Sequence, residues 1–273
     1  MDAAKITRQS KSNLALAFIS LGRERRADIT VFYAFCRVID DIADASETSA
    51  DKKRAGLAAW RRWLSTTEPN EDSLAHDVRD LIAKYPLTPA MFEEIIDGVE
   101  MDLTISRYAN WEELRVYCYR VASAVGLVSI EIFGYKNALC REYAIALGLA
   151  LQTTNIIRDV GKDRRLGRVY LPQDEMARFG YTDANLQRET NDGRFRALME
   201  FEAARAHRFF EEAKQLLPAE DRRSMIAAEI MASVYRTLLR RIERTGFRVF
   251  EKEYRLNRLE KAGRVALQLL KTL

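Results

Sequence analysis

Histidine and cysteine are scarce in this chain, two and three among 273 residues. His76 and His207 alone cannot make a zinc centre, which draws on several Cys and His ligands. Cys36, Cys118 and Cys140 are unpaired by spacing and sit in apolar helical contexts, as buried free thiols in a reducing compartment would. Five prolines and twelve glycines leave few chain breaks. No run of alternating β-branched residues reads as a sheet, and no G-x-G-x-x-G fingerprint announces a nucleotide. The strongest apolar stretch, Ala144 to Leu151, stops at Gln152, far short of a bilayer span. The N-terminus has no signal-peptide pattern, so a cytoplasmic protein is expected. Neither sign of charge dominates: 44 basic against 40 acidic residues give +4, which demands no nucleic acid. Basic residues do gather from Arg236 to Arg248 and from Arg255 to Arg264. A solvated helix face is the simpler reading of them, contact with an anionic membrane the alternative.

What is present is helical periodicity, apolar residues recurring at i, i+3, i+4 and i+7 almost throughout. The pattern predicts helices near 2–20, 24–45, 51–65, 71–84, 88–106, 111–134, 137–164, 194–216, 219–246 and 252–272. Breaks are expected at Pro69, Pro86, Pro89 and Gly134 and from Gly161 onward. Lys162 to Arg194 reads as one long irregular stretch, and a loop of that length inside a compact domain is usually functional. With 31% charged and 48% hydrophobic residues, and no repeat or linker, residues 1–273 are expected to form one all-α domain with a substantial core.

Two pairs of aspartates disturb this pattern. Asp40 and Asp44 lie one helical turn apart, as do Asp159 and Asp163, in stretches otherwise written as buried helix. Like charges at i,i+4 destabilise a helix, and a carboxylate is costly to bury unless paired or metal-bound. Tyr33, Arg37, Asp40 and Asp44 share one face, with Phe35, Ile39 and Ile42 on the packed side and Asp41 off the stripe. Gln152, Asn155, Asp159 and Asp163 make a second, oxygen-rich stripe on a helix apolar nearly all round through Leu151. Each stripe alone has an ordinary explanation. The first fits a surface helix with an Arg37–Asp40 or Arg37–Asp41 pair, the second a helix emerging into solvent. Together they lack a counter-charge, and Mg²⁺ carrying a diphosphate would serve both, because Mg²⁺ favours carboxylate oxygens and is usually shared with substrate phosphates. Arg164, Arg165 and Arg168 follow directly and are candidates to clamp phosphate oxygens, with a basic solvated loop as the alternative.

With both stripes in place, the chain resembles the squalene/phytoene synthase family over nearly its whole length. The resemblance is carried by YAFCRVIDDIAD at 33–44, YCYRVASAVG at 117–126 and NIIRDVGKDRRLGRVYLP at 155–172. It implies an isoprenoid synthase-type helical bundle around a central cavity, in which two prenyl diphosphates join head to head. It implies that Asp40, Asp44, Asp159 and Asp163 bind Mg²⁺, with Mn²⁺ as a substitute, and diphosphate, Asn155 assisting. Tyr33 and Arg37 match positions near the ionising diphosphate, Tyr117 one facing the reacting carbons, and Gln152 one lining the cavity. Ser12, Arg158, Arg168 and Tyr170 join Arg37, Gln152 and Asn155 as expected substrate contacts. The chain departs from the family at Asn13, where an aromatic is usual, at Lys162, usually acidic, and at Phe247, often Tyr. A dry apolar cavity is required by a carbocation, and Phe32, Leu127, Val128, Ile130, Leu147 and Leu151 are candidates for its wall.

The tail DRRSMIAAEIMASVYRTLLRRIERTGFRVF at 221–250 looks most like the presqualene diphosphate synthase branch of squalene and hopanoid pathways. The expected reaction is therefore two farnesyl diphosphates to presqualene diphosphate, without NADPH. Phytoene or dehydrosqualene formation in carotenoid biosynthesis is the alternative, and a catalytically silent helical scaffold the second. A chain-elongating prenyltransferase would carry D-D-x-x-D at both sites, whereas the second here reads N-x-x-x-D-x-x-x-D. A terpene cyclase would usually have Ser or Thr at Asp159. Peripheral membrane contact for product release is a further expectation; the oligomeric state is left open.

Overall fold

Several helices in this chain begin where a side chain accepts the first free N–H groups. Asp72 accepts from Leu74 N at 3.0 Å, Asn110 from Glu113 N at 3.0 Å, and Asp192 from Arg194 N and Phe195 N, each at 3.0 Å. The structure, a computed structural model, describes residues 18–45 and 47–271. Its first long helices are α1 (Arg23–Asp44), α2 (Ala50–Trp63), α3 (Ser73–Lys84) and α4 (Pro89–Met101). Next, α5 (Trp111–Cys118), a π-helical turn (Tyr119–Ser123) and α6 (Ala124–Phe133) follow one another without a gap. α7 (Leu139–Arg165) leads through the short α8 (Gln173–Arg178) and α9 (Asp183–Gln187) to α10 (Gly193–Leu216), α11 (Ile226–Arg244) and α12 (Arg258–Lys271). Among the described residues no strand forms; a single bridge joins Arg107 and Val169.

α7 is the central element. It runs most extensively along α10 and also packs on α5, the π turn, α6 and α11. A Cβ on Gly148 would stand 2.5 Å from Ser123 Cα, so α7 can cross the π turn this closely only with glycine there. At the same crossing the Ser123 hydroxyl donates to Ile145 O at 2.9 Å. On the other side of the bundle, Phe32, Phe35, Trp60 and Phe92 tie α1, α2 and α4 together. The Phe32–Phe92, Phe35–Trp60 and Phe35–Phe92 pairs stand edge to face, with ring centroids 5.6, 5.4 and 5.2 Å apart.

The observed helices depart from the expected ones for identifiable reasons. Gly161 does not break α7; its missing Cβ would lie 2.7 Å from Val249 O, so it is a close-packing glycine inside a helix that runs on to Arg165. The 111–134 helix carries the π turn, and the 219–246 helix begins with a 3-10 turn (Ala219–Asp221) and becomes α-helical only at Ile226. The last helix starts at Arg258 rather than 252. Of the 2–20 helix, only a 3-10 turn (Phe18–Ser20) falls within the described residues. The irregular stretch holds two short helices, the second opened by a reciprocal Thr182–Asn185 cap. Trp111–Phe133, not Ala144–Leu151, is long and apolar enough to cross a bilayer, but more than half of its most apolar window is buried in the bundle, as a core helix would be.

Candidate active site

α1 buries Phe32, Phe35 and Ile39 and turns its polar stripe onto two adjoining cavities. Tyr33 and Arg37 line the first cavity, Asp44 the second, and Asp40 both. Arg37 pairs with Asp41 at 2.5 Å and stands 3.9 Å from Asp40, so Asp41, off the stripe, takes the guanidinium that the stripe aspartate shares only weakly. Asp40 is ringed by protein yet 46% of its side chain is open. Burial, more than the charges of Asp44, Asp41 and Asp102, pushes its carboxyl up to about 7 against the pull of Arg37. Asp44 is not buried as expected: its side chain is 65% exposed, with Oδ1 3.4 Å from two Arg168 nitrogens.

α7 presents the second stripe across the same space. Asn155 Nδ2 donates to Gln152 Oε1 at 3.1 Å, while Asn155 Oδ1 is buried without a partner among the described residues. Asp159 accepts two hydrogen bonds from its own neighbour Arg158, one of them 2.9 Å from Nε. Asp163 has no such partner; burial and the charge of Asp159 push it up to about 7, only partly opposed by Lys162 and Arg168.

The segment after α7 is laced to the loop between α4 and α5. Val169 N donates to Ser106 O at 2.8 Å and Gln173 N to Tyr108 O at 3.0 Å. That lacing brings Tyr170 onto Tyr117, rings stacked at 5.0 Å, and both phenols onto Asp102. Tyr170 donates to Asp102 Oδ1 at 2.6 Å and Tyr117 to Oδ2 at 3.0 Å. Asp102 was not foreseen; it caps the end of α4, outside any stripe, and burial raises its pKa despite the two phenols and Arg168. Of the three arginines that follow the second stripe, only Arg168 reaches the chamber. Arg164 and Arg165 turn to Glu189 instead, at 2.6 and 3.6 Å.

The two cavities differ in chemistry and share a wall. One, about 370 Å³, is lined by Asp40, Asp44, Asp102, Asp159 and Asp163 with Arg158, Arg168, Tyr117 and Tyr170. The other, about 640 Å³, is mainly apolar, with Phe18, Ile29, Phe32, Ile95, Leu151 and Met231 in its wall. Asp40, Val99, Val121, Gln152, Asn155 and Arg158 border both. Of the expected wall residues, Phe32 and Leu151 are there, whereas Leu127, Val128, Ile130 and Leu147 are buried in the core away from it. Cys36, expected to be fully buried, lines the apolar cavity; burial and then Asp40 raise its thiol pKa. Ser12 lies outside the described residues.

Hard oxygen donors, an orphaned amide oxygen and two carboxyls held near neutrality by burial and repulsion fit a divalent cation. Yet among the described residues no three His, Cys, Asp or Glu converge closely enough to hold one unaided. A cation here would have to be completed by a ligand's own oxygens.

Comparison with known proteins supplies the context. The sequence profile of the squalene/phytoene synthase family matches residues 7–262. A 15-cis-phytoene synthase from Synechococcus elongatus is 36% identical over 268 residues, covering 92% of this chain and 86% of that protein. A phytoene synthase from Mycobacterium tuberculosis is 36% identical over 267 residues, covering 97% and 88%. Among solved structures, a ligand-bound dehydrosqualene synthase superposes with a TM-score of 0.87 at 27% identity, covering 99% of this chain and 95% of that one. Squalene synthase HpnC from Alicyclobacillus acidocaldarius gives 0.79 at 26% identity, covering 90% and 93%.

Proposed function

Because this chain belongs to the squalene/phytoene synthase family, prenyltransferases that condense prenyl diphosphates head to head, we propose that its own reaction is phytoene formation from two geranylgeranyl diphosphates. The sequence relatives that support this choice are phytoene synthases matched over most of the chain. They outweigh the likeness of residues 221–250 to presqualene diphosphate synthases, on which the farnesyl reading rested. The structural likeness to a dehydrosqualene synthase and to HpnC keeps a C15 substrate as the second reading.

The observation that carries the chemistry is the shared wall: a carboxylate-rich chamber opening beside an apolar one. Diphosphates belong in the first and prenyl tails in the second. Asp40, Asp44, Asn155, Asp159 and Asp163 would hold Mg²⁺ jointly with diphosphate oxygens, and the ion would withdraw the leaving group as a Lewis acid. Arg37, Arg158 and Arg168 are placed to take phosphate oxygens in bidentate contacts. Asp102 accepts the O–H of both Tyr117 and Tyr170, and burial keeps both phenols protonated, so they hold that carboxylate in the chamber wall and do not accept a proton. Tyr33 turns a ring toward the cavity where allylic cation develops, and the apolar wall keeps water from quenching it.

In the first half-reaction one diphosphate and one proton leave and a cyclopropylcarbinyl diphosphate forms. In the second, the other diphosphate and another proton leave, so a polyene results with no reductant consumed. A product without charge would not leave readily into water, and we propose a cytoplasmic enzyme in peripheral contact with a membrane.

The test is mass spectrometry of products after incubation with Mg²⁺ and geranylgeranyl or farnesyl diphosphate, separately and without NADPH. A C40 polyene from the C20 substrate is expected. Presqualene diphosphate or a C30 polyene made only from the C15 substrate would overturn the substrate assignment. No product from either, in folded protein, would leave a silent scaffold.

A further inference from the structure

α12 is turned inside out relative to an ordinary surface helix. Polar side chains of its inner face meet the protein: Glu260 pairs with Arg241, and Gln268 Nε2 donates to Glu229 O at 3.4 Å. Its leucines face out. Leu259 is 84% exposed, Leu270 69% and Leu267 40%, with exposed Ala262, Gly263 and Ala266 between them. At 3.6 residues per turn these positions fill one continuous arc of roughly 140°. A groove of about 990 Å³ between α11 and α12 adds Arg240, Arg241, Arg244, Lys252 and Arg264 beside that arc. Of these five cations, Arg241 alone is paired with a carboxylate among the described residues.

We propose that α12 is a membrane-docking element. It lies flat on an anionic bilayer, Leu259, Leu267 and Leu270 at the acyl boundary and Arg240, Arg244 and Arg264 among the headgroup phosphates. An apolar arc flanked by cations is the form of a helix that binds in the interface plane, where anionic lipid satisfies both halves. A second copy of the chain fits worse. A two-fold contact sets the same patch against itself, and the unpaired arginines would face one another. The inference does not depend on which prenyl diphosphate the chamber takes.

The test is flotation of the full chain with phosphatidylcholine vesicles, with and without roughly a third of phosphatidylglycerol. The protein floats with the anionic vesicles and stays behind with the neutral ones. Leu259→Asp with Leu270→Asp, at exposed positions that fold does not constrain, lowers the bound-to-free ratio about tenfold or more. Arg240→Gln, Arg244→Gln and Arg264→Gln together remove the preference for anionic lipid, while both variants keep wild-type turnover on detergent-dispersed substrate. Wild type that ignores anionic vesicles, or a leucine variant that floats like wild type, overturns the proposal. So does a wild-type dimer that ignores vesicles and that the leucine variant splits on size-exclusion chromatography. Loss of turnover in wild type, with flotation intact, would instead count against the enzymatic reading.

Discussion

This molecule gathers carboxylates in two clusters and treats them oppositely. Between α8 and α10, Arg205 sits against Glu175 and Glu202, 2.5 Å from the latter, and stacks on the Trp111 ring at 4.2 Å. Burial, with the neighbouring Glu175, raises the Glu202 carboxyl, whose Oε1 is unbonded among the described residues, while Glu202 and the Arg205 guanidinium hold Glu175 below its usual range. The raised Glu202 carboxyl favours its neutral form, which offsets the excess acid there, and none of the three residues lines the cavities described above. In the chamber between α1 and α7, five carboxylates line the wall with two guanidiniums, and space remains among them. A cluster that balances itself is holding the fold together; one that does not is waiting for a ligand.

The sharpest way to break that contrast is to remove one carboxylate from the chamber. Asp40→Ala or Asp163→Ala should lower turnover on the order of 10³-fold, because each removes charge meant for the leaving group's counter-ions. The fold should not suffer, since each variant also removes a repelled carboxylate; urea midpoints should be equal to wild type or higher. Near-normal turnover in either would sink the chamber as the site of ionisation. In the closed cluster the signs reverse. Arg205→Met strands buried Glu175 and should cost about 3–5 kcal/mol in urea unfolding, with turnover per folded molecule unchanged.

The contrast was only half legible in the sequence. The second stripe could be read because Gln152, Asn155, Asp159 and Asp163 stand at helical spacing on one unbroken helix, so periodicity alone places them. Asp102 could not, since Tyr170 is brought to it by the main-chain lacing of Val169 to Ser106, a contact between loops over sixty residues apart. Glu175, Glu202 and Arg205 were invisible for the same reason: in sequence they look like any charged helix residues. Arg168 and Arg164 differ by four places in one basic run, yet Glu189 takes the second and leaves the first to the chamber. The cavity wall was half missed because Phe18, Ile95 and Met231 come from three separate elements whose facing is fixed by packing. The breaks failed where a glycine serves contact rather than a turn, as at Gly161.

A smaller effect tests whether Asp102 belongs to the chamber or merely to its wall. Tyr117→Phe removes one of two phenols held on that carboxylate and should lower turnover about 10–100-fold, as loss of a hydrogen-bond partner that orients a site group does. Asp102→Asn keeps the shape and should act in the same direction through misplaced phenols. If both fall mainly on KM, the Asp102–phenol unit shapes the site for ground-state diphosphate; if on kcat, it positions groups that meet charge developing later.

The smallest effect is also the most direct reading of the imbalance. Asp40 and Asp163 have carboxyls raised from 3.8 to about 7 in the folded chain. The folded state therefore holds these protons more tightly than the unfolded one between those values, and its stability falls as pH rises through that window. Chelator-treated protein should melt at a lower temperature at pH 8 than at pH 6, once the slope of an Asp40→Asn, Asp163→Asn double variant has been subtracted. Mg²⁺ with inorganic diphosphate should raise the melting temperature most at pH 8, where both carboxylates are charged and unbalanced. The closed Glu175–Arg205–Glu202 cluster predicts no such ligand dependence, so a pH-independent Mg²⁺ effect would mean that the chamber, too, balances its own charge.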